Sequence, residues 1–143
     1  MKPYELIDHP ADIGLKIHGR NLEEFFTNAA HGFTNLVTDL DALGQRTDAG
    51  RQSQEISLKA EDLSALFFTW LRELLYLFSA KNLVFSEYRF EHLSHCELKV
   101  RATGERFDPD YHSQKVEVKA VTYHQYSVKE TAEGWQGQVI FDI

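Results

Sequence analysis

The residues best suited to chemistry in this 143-residue chain lie at its two ends. His9-Pro10-Ala11-Asp12-Ile13-Gly14 stands near the start, and Ile140-Phe141-Asp142-Ile143 ends the sequence, so that the Asp142 carboxylate is one residue from the terminal one. Carboxylates with no fixed cation beside them in sequence are hard oxygen donors. If the fold brings Asp12 beside Asp142 and the Ile143 carboxylate, the three suit a divalent metal ion. Separation along the chain favours a plainer alternative, in which Asp12 caps a turn and Asp142 is a solvated tail.

Other candidate constellations are thinner. His92-x-x-His95-Cys96 carries zinc-binding atoms, but one strand and turn cannot easily aim three side chains at one ion, and no second Cys/His pair completes a tetrahedral set. Surface histidines explain the seven His residues better. No Gly-x-Ser-x-Gly elbow surrounds a serine, and eight singly scattered glycines leave no phosphate-cradling loop. Lys119 on a strand ordinarily points at water, and Trp70 and Tyr76 read as core and rim.

The length fits one domain spanning residues 1–143. A net charge of −7 argues against a protein whose main task is holding nucleic acid, because phosphate-dominated binding needs clustered Lys and Arg. Any connection to RNA should therefore run through a partner protein. Cys96 is the single cysteine, which excludes an intramolecular disulfide, and the first twenty residues contain no apolar signal-like run. The most apolar stretch, Leu66 to Phe78, is interrupted by Arg72 and Glu73 and falls short of the roughly 20 residues that cross a bilayer. These features predict a cytoplasmic protein with a buried core helix and no membrane partner.

The elements that must position the end carboxylates follow from periodicity. Tyr4–His9 and Ile13–His18 read as strands separated by a turn or break at Pro10. Asn21 is an N-cap with Glu24 in the capping-box position, and the apolar positions from Leu22 to Val37 recur at helical spacing. Residues 38–54 read as a surface loop carrying Asp39, Asp41 and Asp48, and Glu55–Ala60 as a short strand. Asp62 caps a second helix whose apolar positions surround most of its circumference. Leu83–His92 and Cys96–Thr103 read as a hairpin, Gly104–Ser113 as a polar loop, and Lys115–His124 as a strand. Gln125–Thr131 and Trp135–Ile143 read as a second hairpin, with Gly134 in the left-handed position of a three-residue turn. Strand-rich ends around two main helices, without βαβ repetition, predict an α+β fold with largely antiparallel sheets.

Five segments then coincide with one family. His9-Pro10-Ala11-Asp12-Ile13-Gly14, Trp70-Leu71-Arg72-Glu73-Leu74-Leu75-Tyr76, Gly104-Glu105, Lys119-Ala120-Val121-Thr122-Tyr123-His124 and the terminal Asp142-Ile143 stand in the order and spacing of archease, and the chain resembles that family along its whole length. Pro10 departs from the commoner family pattern, in which threonine is frequent at that place, and this removes a hydroxyl but leaves the aspartate.

The resemblance implies an accessory protein of the RtcB-type RNA-splicing ligase, an activator and not an enzyme. It would promote guanylylation of the ligase's active-site histidine and allow multiple turnover in tRNA splicing. The resemblance also implies a metal site on Asp12, Asp142 and the main-chain carboxylate of Ile143, with calcium as the ion and magnesium or manganese as alternatives. Lys119, Asp39 and His9 are its implied functional neighbours. Two other classes stand beside this one: a metal-dependent hydrolase of a small phosphate-bearing substrate, and a general chaperone or modulator without a metal.

Overall fold

The computed structural model describes residues 2–8, 11–45 and 50–143. His9 and Pro10, and Asp48 in the loop after the first helix, lie outside the described residues.

The chain runs β1 (Tyr4–Asp8), β2 (Asp12–Gly19), α1 (Leu22–Val37), a 3₁₀ turn (Leu40–Ala42), β3 (Gln52–Lys59), α2 (Leu63–Lys81), β4 (Leu83–Leu93), β5 (Glu97–Arg106), β6 (Ala120–Thr131) and β7 (Gly134–Asp142). The strands form two antiparallel sheets, ordered β1-β2-β7-β6 and β3-β5-β4. This is the α+β architecture with two main helices that the periodicity predicts.

Both helices begin where capping chemistry places them. Asn21 Oδ1 accepts the Glu24 N–H at 2.9 Å, and Asp62 Oδ1 accepts the Ala65 N–H at 2.8 Å. Each bond satisfies one of the donors that a helix start leaves without an internal partner. α2 ends at Asn82, whose left-handed backbone (φ 57°) lets its N–H reach back to the last carbonyls.

One apolar core joins the two helices to both sheets. Phe25 stacks on Phe67 at 4.4 Å between ring centres, Phe26 meets Phe67 edge-on, and Trp70 contacts Tyr88 and Phe90 of β4. Trp70 is fully buried, and its indole N–H donates to the Phe26 carbonyl at 3.0 Å, so this ring has both an apolar bed and a polar partner. α2 is long and apolar enough in composition to cross a membrane. Leu63, Leu66, Phe67, Phe68, Trp70, Leu71, Leu74, Leu75 and Leu77 are nevertheless buried here, which makes it a core helix.

The connections depart from the periodicity in five places. β5 continues through Arg106, so Gly104 and Glu105 belong to a strand and not to a loop. A Cβ on Gly104 would stand 1.9 Å from the Val84 carbonyl oxygen, which is why glycine is needed where β4 crosses so closely. β3 begins earlier than its alternating apolar residues suggest, because its first residues are polar positions paired to β5.

Residues 115–116 do not extend β6. The N–H groups of Lys115 and Val116 instead donate to the carbonyls of Val37 and Leu36, each at 3.1 Å, and so satisfy acceptors that the end of α1 leaves open. β6 is one strand from Ala120 to Thr131, and its pairing with β7 shifts between Thr122 and Ser127. Gln125 at the shift has φ 52°. The β6–β7 turn is also tighter than expected: Thr131 pairs directly with Gly134, leaving only Ala132 and Glu133 between them. Gly134 has φ 131°, and a Cβ there would meet the Gly19 carbonyl oxygen at 2.3 Å.

Candidate functional site

The two ends of the sequence meet in the first sheet. β2 and β7 pair antiparallel with Asp12 directly opposite Asp142, and Asp142 is in turn opposite Ala120 of β6. Residues directly opposite in an antiparallel pair put their side chains on the same face, with Cβ atoms roughly 4.5–5.5 Å apart. The alternation in β2 sends Ile13, Leu15 and Ile17 into the core, so Asp12 shares the opposite face with Gly14, Lys16 and His18.

Two carboxylates therefore stand side by side at one end of the sheet, where like charges are unfavourable unless a cation joins them. Oδ1 of Asp12 is shielded from solvent, whereas Asp142 is exposed and Ile143 is 37% exposed. Ala120 completes the row with a side chain too small to fill the space beside Asp142.

Lys119 is brought to the same place by its backbone. Its N–H donates to the Asp142 carbonyl at 2.8 Å, and the residue is exposed. Asp39 has a local role, since its carboxylate caps the 3₁₀ turn by accepting the Asp41 N–H at 3.1 Å. The expectation for His9 falls outside the described residues.

An all-oxygen set on Asp12 and Asp142 fits the preference of calcium or magnesium for hard donors. Among the described residues, no three His, Cys, Asp or Glu side chains gather closely enough to hold a metal ion. A metal on these two aspartates would therefore need further oxygen donors from elsewhere.

The histidines divide into different classes than expected. His92 faces Glu97 at 3.4 Å, His95 meets Trp135 edge-on, and Cys96 is exposed. His31 is half-buried, with Nε2 3.0 Å from the Ser86 carbonyl. His112 is buried outright, correcting the reading of the histidines as surface residues. Its Nε2 lies 2.7 Å from Oε2 of Glu105, itself only 4% exposed.

Periodicity misses this pair because Glu105 has the same parity as Lys99, Arg101 and Thr103 on β5, which are not buried. The available signal was the Asp108-Pro109 turn, which carries His112 back over the end of β5. Asp108 accepts the N–H groups of Tyr111 and His112 at its carbonyl, at 3.0 and 2.7 Å.

The Trp70–Tyr76 segment is mostly core, with Arg72 lying 5.9 Å over the Phe68 ring and Tyr76 exposed. Tyr123 is 66% exposed and stacks on Phe68 at 3.8 Å.

Fold and site together define a small α+β protein with two antiparallel sheets and a pair of aspartates joined across β2 and β7. A model of the archease protein family matches residues 4–143, and the chain belongs to this family. It is 38% identical to Protein archease of Methanosarcina acetivorans over 146 aligned positions, covering 99% of this chain and 97% of that protein. The solution structure of Methanobacterium thermoautotrophicum protein 1598 superposes with a TM-score of 0.74 at 28% identity, with all of both chains covered. A Thermotoga maritima archease, described as a possible chaperone, shares the fold with a TM-score of 0.66 at 23% identity, covering 96% of this chain and 94% of that one.

Proposed function

We propose that this protein is a metal-binding, non-catalytic activator of an RtcB-type RNA-splicing ligase, acting in the cytoplasm to promote guanylylation of the ligase and its multiple turnover in tRNA splicing. Membership in the archease family supports the accessory role. The single structural observation behind the site is the pairing of Asp12 with Asp142 across β2 and β7. In this reading Asp12, Asp142 and the Ile143 carboxylate hold calcium, or magnesium or manganese in its place. The ion, when bound, supplies positive charge that offsets the paired carboxylates and offers open positions to a partner's oxygen ligands. Lys119 stands next to that position.

The net charge of −7 supports docking on a basic, RNA-binding ligase, with RNA contacted only through that partner. The test is guanylylation and multiple-turnover ligation by an RtcB-type ligase from the same source, at substoichiometric ligase, with and without this protein. Stimulation by the wild type that disappears in folded Asp12→Ala and Asp142→Ala variants is the expected result. Undiminished stimulation by both variants removes the site assignment. No stimulation of an active ligase by the wild type removes the activator role and leaves the chaperone reading, which a protein-aggregation assay then addresses.

A further inference from the structure

The Gly104-Glu105 segment has a second use. We propose that Glu105 and His112 form a buried latch that positions Lys119 and the end of β7, and through them the Asp12–Asp142 site; the last step rests on the metal-binding reading above.

The hydrogen bonds fix the protonation pattern of the latch. The Asp108 N–H points at His112 Nδ1 at 2.8 Å, so Nδ1 must accept and carries no proton. The ring proton is therefore on Nε2, which donates to Glu105 Oε2 at 2.7 Å. The other oxygen, Oε1, accepts the Gly44 N–H at 2.7 Å. Phe107 stacks on the imidazole at 5.4 Å, and Tyr111 meets its edge at 5.0 Å. One carboxylate and one neutral imidazole thus join three backbone segments: the turn after α1, the end of β5 and the 108–112 turn.

The chain beyond His112 is then tied down at short intervals. Thr38 Oγ1 donates to the Ser113 carbonyl at 2.6 Å, and Lys115 Nζ donates to the Asn35 carbonyl at 3.0 Å. The N–H groups of Lys115 and Val116 follow, on the end of α1, and Lys119 N–H reaches the Asp142 carbonyl. Val118 is buried between these ties. The backbone of Lys119 is consequently held from one side by the latch and from the other by β7.

A polar pair is a costly way to fill this space. Burying a carboxylate carries a desolvation penalty, and apolar residues of the same volume would often be as stable or more so. Its benefit is geometric, because each of the bonds has one direction and one partner. Among the described residues, the charged or titratable neighbours of His112 are Glu105 on β5 and Asp108 and Tyr111 on its own turn. Arg51, before β3, approaches within 3.6 Å of where a Gly44 Cβ would lie.

The test uses terbium luminescence as the metal probe and amide hydrogen exchange at Lys119 as a metal-independent one, on the full chain. In Glu105→Gln the new NH₂ group opposes either the Nε2–H of His112 or the Gly44 N–H. His112→Leu removes both imidazole bonds. His112→Gln offers an acceptor and a donor in place of the imidazole.

The expected result is terbium affinity about 10-fold weaker in E105Q and H112L, the size typical of lost groups that orient a metal's ligands. Lys119 exchange should be faster in both variants while Leu15 and Val100 stay protected. H112Q, which keeps an acceptor and a donor at that place, should retain most of the affinity. Unchanged Lys119 exchange in folded E105Q or H112L overturns the latch. Unchanged affinity in those variants overturns its link to the site. If the wild type binds no terbium, the metal reading fails and the latch is decided by Lys119 exchange alone.

Discussion

Two groups of carboxylates on this small domain are treated in opposite ways. Glu105 is buried, and each of its oxygens accepts a hydrogen bond from a fixed donor, His112 Nε2–H or Gly44 N–H. Asp12 and Asp142 share a rung of the sheet, with Asp142 exposed and a like charge directly across the strand. In the first case the fold supplies all the compensation a carboxylate needs. In the second, the Asp142 side chain stands exposed on the rung it shares with Asp12. The difference separates a carboxylate that ties the chain together from one that faces solvent.

This contrast predicts different responses to mutation. Glu105→Ala should cost the most, about 1–3 kcal/mol, since it leaves the buried His112 Nε2–H without its acceptor and also removes the partner of the Gly44 N–H. The midpoint of urea unfolding measures it, and a change below 0.5 kcal/mol would erase the distinction between the two regions. Asp142→Asn should shift metal-free stability by no more than about 1 kcal/mol, and toward greater stability, because it removes a cross-strand repulsion. If Asp12 and Asp142 hold calcium as proposed, the ion should raise the melting temperature of the wild type, and the same variant should lose that rise. A large destabilisation without calcium would mean that Asp142 is a structural residue after all.

The third prediction concerns neither carboxylate group and serves as a reference. Tyr126 donates from its hydroxyl to the Ser64 carbonyl at 2.7 Å, and burial raises its phenol well above the usual tyrosine range. The phenol stays neutral in the folded state while the unfolded chain ionises above about pH 10, so its contribution is complete below that pH and is lost as pH rises toward the folded value. Tyr126→Phe should cost about 1 kcal/mol at neutral pH and reduce the alkaline loss of stability. Tyr88, raised in the same direction by burial, retains its share of that loss.

Local chemistry made much of the fold legible. Asn21 and Asp62 marked the helix starts because a capping side chain acts within three residues of its own position. The β4–β5 hairpin was visible for the same reason. The ends of β5 and β6 were not, because they depend on what lies across from them: Gly104 on the approach of Val84, and Lys115–Val116 on the open carbonyls of α1. At the site, Asp12 and Asp142 were recognisable as donors, but their meeting is a property of sheet order, which puts β7 between β2 and β6. His112 was missed because burial of a polar residue depends on its partners and leaves no hydropathy pattern.

The interrupted pairing of β6 also bears on how the protein behaves in crowded solution. β6 is an outer strand of its sheet and presents an unpaired side to other molecules. A long regular edge of this kind invites a second chain to add on and start aggregation. Between Thr122 and Ser127 the strand leaves the ladder, and its polar groups are taken up internally: Thr122 Oγ1 donates to the Ile140 carbonyl at 2.8 Å, and Gln138 Nε2 donates to the Gln125 carbonyl at 3.0 Å. The irregularity divides the edge into two short pieces, neither long enough to be a good template for a second chain.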